Sequence, residues 1–511
     1  MRFLKQLFYA LGYGLFGSLV VLVVGYVYYL DSRPDLKIWH ETLLQGEFAA
    51  AQAKDIRDLD AYRALEDRLF EQLQERIISR IEEGEQRQLG RFYNGSRVNP
   101  LSFPRNWNRT FELLPQHPVG GVLLHGLSDS PYSLRALGQM LYRKGFHVVG
   151  LRLPGHGTAP SGLLTVQWRD WAAAVRIAMR HLKERLGSEQ PLYMLGYSNG
   201  AALAVEYTLA VLEGEPLPAV QGLVLLSPAI GVSKVAALAI WQSRLGSLIG
   251  MDKLAWTAIQ PEFDPYKYNS FTVNAGDQIY RLTENIAQRM KQLQKPLRVR
   301  DFPRVLAFHS VVDATVAPEI LIETLFSRLA AEGHELVLFD VNRSAETEEL
   351  LRSDPDIFLQ QLFADKQLGF NQTLITSAAA DSSQLVVRYR QAGATEVFET
   401  PLGRGWPDEV FSLSHVALPF PADDPIYGSK PYRGDVYPWI TLGSVALRGE
   451  RNLLLFPDNY FLRLRYNPFF DYLARRVQGF CRAGQAIVPQ ASAPPRAEIP
   501  APLAGRRRLR R

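Results

Sequence analysis

Ser198 lies in Gly196-Tyr197-Ser198-Asn199-Gly200, between the apolar run LYML and the alanine-rich stretch ALAVEY. A serine hydroxyl is a useful nucleophile only when a base takes its proton and an acid orients that base. Asp313, in HSVVDATV, and His415, in FSLSHVALPF, follow Ser198 in the order nucleophile, acid, base. Such a set attacks an acyl carbon, and the resulting oxyanion needs two preorganised backbone N–H donors. Asn199 supplies one from the residue after the nucleophile. Leu127, in LLHGLSDSP, supplies the other, with His125 and Gly126 shaping its turn. Gly196 and Gly200 leave room for a tight turn in which the serine is strained and exposed. His309 lies inside a strand pattern and reads as structural. His334 precedes its strand, so it falls at the end of the sheet opposite Ser198. His125 has no partner at metal-ligand spacing, and neither a metal nor a cofactor is expected.

The elements that must hold these residues alternate. VGGVLLHG, HVVGLRLPGHG, PLYMLGYS, VQGLVLLSPA, RVLAFHSVVD and HELVLFDVN read as strands. SLRALGQMLYRKG, WRDWAAAVRIAMRHLKERL, NGAALAVEYTLAVL and PEILIETLFSRLAAEG read as helices. Buried strands separated by helices specify a mostly parallel sheet covered on both faces, the α/β class. Catalytic groups then belong at the C-terminal ends of the strands. Residues 231–300 show no clear strand and form one insertion, and residues 343–400 form a second, ahead of His415.

Outside this region the chain changes character. Gln6 to Leu30 carries no charge, and 25 residues at about 1.5 Å each exceed a hydrocarbon core of about 30 Å. Residues 1–34 therefore read as a single-pass membrane anchor. A cleaved signal peptide is the rival, although its apolar core is ordinarily shorter and no small-x-small site precedes Asp31. Arg2 and Lys5 before the span place the N-terminus inside and the large domain on the non-cytoplasmic side, the periplasm in a bacterium. Residues 35–105 form a helical extension in which Leu65, Leu69, Leu73, Ile77 and Ile81 make one apolar stripe on a long helix. That helix packs on the main domain or stands as a stalk; a dimerising coiled coil is the weaker reading. The main domain covers 106–485, and residues 486–511 are a Pro/Ala/Arg-rich tail with the composition of a disordered segment.

Composition narrows the function classes. The net charge of +5 over 511 residues owes much to the terminal RRRLRR, and no basic stripe interleaved with aromatics suggests nucleic-acid binding. One cysteine excludes an intrachain disulfide and a thiolate metal cluster within the chain. The sequence specifies no oligomeric state.

Together, HGLSDSPYSLRALGQMLYRKGFHVVGLRLPGHGT, LTVQWRDW, GYSNG, VVDATV and SLSHV resemble the α/β-hydrolase superfamily, closest to its bacterial carboxylesterase and monoacylglycerol lipase branch, grouped in places with the serine aminopeptidases. The resemblance covers about 117–230 and 301–342, with the His415 segment beyond. It implies Ser198 as nucleophile, Asp313 as acid, His415 as base, and Leu127 and Asn199 as oxyanion donors. It also puts a lid at 231–300, whose aliphatic and tryptophan-rich part suits an acyl chain or simply packs on the core; together with the anchor, a lid there makes a lipid-like ester the expected substrate. The anchor, the extension and the insertion before His415 depart from the family pattern. A catalytically silent hydrolase fold serving as a membrane scaffold, and acyl transfer or peptide hydrolysis through the same triad, stay open as alternatives.

Overall fold

The computed structural model describes the chain outside residues 1, 83–88, 116–118, 188–189, 232–251, 294–298, 331–332, 346–350, 352–353, 380–381, 431–440, 445–462 and 483–511. Helix α1 (Arg2–Asp31) is long and apolar enough to cross a membrane. Its end is tied to the body. The Arg33 guanidinium donates to the carbonyls of Lys253 and Trp256, both at 2.7 Å, and the Lys253 ammonium donates to the Arg33 carbonyl at 2.9 Å.

The extension is part of the domain core. After the short α2 (Ile38–Glu41), α3 (Leu59–Arg76) starts where the Asp58 carboxylate accepts the Ala61 N–H at 2.7 Å. The helix is shorter than its four-residue repeat suggests. It stops at Arg76, and Ile77 and Ile81 lie beyond it around a 3₁₀ turn. Both remain buried, so the pattern continues where the helix does not. Tyr62, Leu65 and Leu69 join the main core rather than projecting as a stalk.

A fully buried cation joins this extension to the sheet. The Arg152 guanidinium donates to both Glu47 oxygens, at 3.0 and 2.8 Å, and lies 3.3 Å from Glu66. Tyr62 donates to the Arg152 carbonyl at 2.8 Å. Burial raises the Glu66 carboxyl. In Glu47 the same burial is outweighed by Arg152, and the carboxyl is lowered.

The main sheet has ten strands among the described residues: β1 (Phe111–Leu113), β2 (Val119–Leu124), β3 (Phe146–Leu151), β4 (Leu192–Tyr197), β5 (Gly222–Leu226), β8 (Arg304–Ser310), β9 (Glu335–Phe339), β10 (Asn371–Ser377), β11 (Gln384–Arg390) and β12 (Val397–Gly405). Their order is β1-β3-β2-β4-β5-β8-β9-β10-β11-β12. Pairing is parallel from β3 to β10 and antiparallel at the edges, where β1 joins β3 and β11 and β12 close the other side. The stretch expected as a second insertion therefore supplies three strands to the sheet. In the first insertion, residues 232–251 and 294–298 lie outside the described residues. The described remainder holds a two-strand ribbon, β6 (Trp256–Ala258) and β7 (Phe271–Thr272).

Helices cover both faces, as parallel strands require: α4 (Arg135–Arg143), α5 (Trp168–Leu186), α6 (Asn199–Leu212), α7 (Val273–Gln292), α8 (Pro318–Thr324), α9 (Pro355–Ala364) and α10 (Phe470–Arg482). One core packs α5, α6, α7 and α3 against the sheet, and a second packs α4, α10 and the segment around Leu413–Leu418. The tail expected from 486 lies outside the described residues.

Candidate active site

β4 ends at Tyr197 and α6 begins at Asn199, leaving one residue for the reversal. Ser198 takes φ 53° and ψ −112°, a conformation that costs a side-chain-bearing residue on the order of 1–3 kcal/mol. The surroundings hold it there. Its N–H donates to the Leu226 carbonyl at 2.9 Å, and its carbonyl accepts the Ala229 N–H at 3.1 Å.

The glycines beside it are sterically required. A Cβ on Gly196 would lie 2.4 Å from the Ala201 backbone, and one on Gly200 would lie 2.0 Å from the Leu124 carbonyl oxygen. Gly200→Ala is expected to push α6 away from the loop after β2 and slow covalent capture of Ser198 by about 100-fold. Labelling rates with a fluorophosphonate check this; an unchanged rate would show that the elbow tolerates the displacement.

Asp313 follows β8, and His415 lies in the loop after β12. His415 Nε2 is 2.9 Å from Ser198 Oγ, and His415 Nδ1 is 2.8 Å from Asp313 Oδ2. The three groups thus form a continuous relay across 217 residues of sequence separation. Burial opposes the Asp313 charge, but His415 and the Thr315 N–H outweigh it and hold the carboxyl down at about 2. An ionised Asp313 accepts a hydrogen bond from Nδ1–H, which leaves the Nε2 lone pair facing Ser198 Oγ.

His309 is buried in β8 with its Nδ1 3.3 Å from Asp313, and burial lowers its imidazole to about 4, keeping it neutral. His334 lies before β9, at the far end of the sheet, where its Nδ1 accepts the Val305 N–H at 3.2 Å.

The loop after β2 lies against the elbow. A Cβ on Gly126 would sit 3.4 Å from the Ser198 Cβ and 2.9 Å from the Tyr197 ring. Among the described residues, the N–H groups of Leu127 and Asn199 have no acceptor. His125 braces the turn: its Nδ1 donates to the Gly126 carbonyl at 2.8 Å, and its Nε2 accepts the Leu153 N–H at 3.0 Å. Burial lowers this imidazole well below its ordinary value, so the neutral tautomer that makes both bonds is the one present.

Two other groupings leave no trace in the sequence pattern. Glu112 Oε1 accepts from His147 at 2.6 Å and His181 at 2.9 Å, while Arg63 lies 3.0 Å from Oε2. These are metal-ligand residue types, but the carboxylate is already satisfied by two imidazoles and a guanidinium, so they read as a latch between β1, β3 and α5. Near the triad, the chain at 463–465 is fastened to both catalytic loops. Arg463 donates to Thr315 Oγ1 at 3.2 Å, and Ser414 Oγ donates to the Leu464 carbonyl.

A serine on a strained strand-to-helix turn, with acid and histidine on loops after later strands of a mostly parallel sheet, defines the α/β-hydrolase fold. The family model described as serine aminopeptidase matches residues 121–342, a span that includes Ser198 and Asp313 and ends before His415. The chain is 32% identical over 120 residues to a thermostable monoacylglycerol lipase from a Bacillus species, a match covering 24% of this chain and 44% of that protein. Among solved structures, a metagenome-derived lipolytic enzyme is 22% identical, with 51% of this chain and 98% of that chain covered and a TM-score of 0.35. A monoacylglycerol lipase from Paleococcus ferrophilus is 18% identical, covering 50% of this chain and 97% of its own, with a TM-score of 0.34.

Proposed function

We infer that the protein hydrolyses carboxylic esters through an acyl-enzyme on Ser198. The observation that carries this reading is the Ser198–His415–Asp313 relay, at 2.9 and 2.8 Å. Ser198 Oγ attacks the acyl carbon as His415 Nε2 takes its proton, and the carbonyl electron pair moves onto oxygen. The Leu127 and Asn199 N–H groups receive that oxyanion. Collapse breaks the bond to the alcohol oxygen, which leaves with the proton from His415. Water, deprotonated by the same imidazole, then releases the acid and restores the serine. Asp313 stays ionised and stabilises the imidazolium.

A lipid-like ester is the substrate class we propose. It is favoured by the resemblance to a monoacylglycerol lipase and by α1, read as a membrane anchor with the catalytic domain on the non-cytoplasmic side. Fluorophosphonate labelling of the full-length protein in membranes tests the chemistry. Wild type should label, and folded Ser198→Ala and His415→Ala should not. Persistent labelling of Ser198→Ala would sink the reading. Rapid cleavage of short soluble esters with acylglycerols untouched would overturn the lipid assignment.

A further inference from the structure

Two cationic residues, Arg463 and Lys267, lie on segments fastened to the catalytic loops. Arg463 is exposed, and its one hydrogen bond among the described residues is to Thr315, two residues past Asp313. The next residue, Leu464, accepts from Ser414, the neighbour of His415. Arg463 is thereby fixed beside the acid and the base at once. Lys267 lies on a second segment. It precedes Tyr268, whose N–H donates to the Ser128 carbonyl at 2.8 Å, one residue beyond Leu127. Among the described residues, neither Arg463 nor Lys267 has a carboxylate within 4.0 Å.

The two cations sense each other and the site. Burial pulls the Lys267 ammonium down, and Arg463 and Arg465 lower it further, against Asp129 and Asp264. The Tyr197 hydroxyl, raised mainly by burial, lies within the fields of Asp129, Arg463 and Asp313. The acids nearby are Asp264, Asp129 and Asp313. Asp264 Oδ1 accepts from the Tyr427 hydroxyl at 2.6 Å and from the N–H groups of Tyr266 and Lys267, while its Oδ2 lies 3.9 Å from Arg465 and has no hydrogen-bond partner among the described residues. Asp129 accepts the Ser130 N–H at 2.9 Å, and burial pushes its carboxyl up to about 7, so much of it is uncharged at neutral pH. Asp313 is engaged by His415. Among the described residues, the cations of this region are Arg463, Lys267 and Arg465, and of these only Arg465 lies within 4.0 Å of a carboxylate.

We propose that Arg463 and Lys267 form an anion subsite of the catalytic pocket, and that the ester substrate carries a phosphate or carboxylate group close to the scissile bond. This rests on the esterase reading and narrows it: a neutral acylglycerol leaves both cations unpaired, whereas an anionic ester supplies their counterion. The anion can belong to a lipid headgroup on the alcohol side or to a dicarboxylic acid on the acyl side.

Two matched substrate pairs separate these sources. On the alcohol side, 1-acylglycerol 3-phosphate is compared with the corresponding monoacylglycerol. On the acyl side, p-nitrophenyl monoadipate is compared with p-nitrophenyl hexanoate. The readout is the ratio of kcat/KM, anionic over neutral, in full-length protein. Arg463→Gln and Lys267→Gln should each lower that ratio about tenfold in one of the pairs, mainly through KM, as loss of a charge-assisted hydrogen bond requires. Arg463→Lys should restore most of it. Lys144→Gln, at the exposed end of α4, removes the same charge elsewhere and should leave the ratio unmoved. A ratio unaffected by both site variants in both pairs overturns the subsite, as does an equal fall in Lys144→Gln. Fluorophosphonate labelling is run in parallel: wild type that labels while the ratios stay flat refutes the subsite alone, and wild type that does not label refutes the esterase reading itself. Arg463 is on the surface, so its variant tests the inference even where Lys267→Gln does not fold.

Discussion

Ester turnover is expected to fall about 10⁶-fold in Ser198→Ala or His415→Ala, and about 10⁴-fold in Asp313→Asn. The geometry explains the difference. Ser198 and His415 form and break bonds to the moving proton, so either loss ends the covalent route. The Asp313→Asn side chain would keep the shape of the acid but present an amide to His415 Nδ1. That favours the tautomer with its proton on Nε2, which faces Ser198 Oγ and then has no lone pair to accept with. The double variant Ser198→Ala, His415→Ala should be no slower than either single one, because the two act as one unit. Turnover of p-nitrophenyl esters by folded variants measures all four. Multiplicative losses in the double variant would mean that the two residues work separately.

The second large effect concerns stability. Arg152→Met is expected to destabilise the domain by about 3–5 kcal/mol at neutral pH, because it leaves the buried Glu66 and the partly buried Glu47 without their shared cation. The sign with pH follows. Without Arg152, burial raises both carboxyls above their unfolded values near 4.3. An acid with a raised folded value destabilises above the unfolded value, and the loss is recovered as the pH falls through the raised one. The variant should therefore regain stability relative to wild type between neutral pH and about pH 5. Urea unfolding midpoints of the two proteins across that range test the claim. A deficit independent of pH would point to lost packing instead of stranded charge.

The parts of the molecule that announce themselves in sequence are those whose chemistry is local. The elbow needs glycines two positions either side of Ser198, and a parallel strand buried on both faces must read as an apolar run. Asp313 could be picked out because a catalytic acid in this layout directly follows a strand. The Arg152 cluster was hidden because its partners lie far off in sequence, 105 residues away at Glu47 and nearly as far at Glu66, and nothing in either neighbourhood marks a buried charge. β10 was hidden for a related reason: NQTLITS mixes polar and apolar side chains, yet all but its first residue are buried. The end of α3 misled in another way. A period of four tracks burial, and Ile77 and Ile81 remain buried after the backbone has left the helix. Arg463 and Lys267 carry no motif at all; only the folding of their segments onto the loops of Thr315, Ser414 and Ser128 brings them to the triad.

The clasp between Arg33 and the Lys253–Trp256 segment fixes an attitude. Only Ser32 separates the last residue of α1 from the docked Arg33, so the catalytic body has almost no leash on which to tumble. With α1 inserted in a bilayer, the body would ride at one tilt, and its meetings with substrates dissolved in the same sheet would be a search over a plane instead of through a volume.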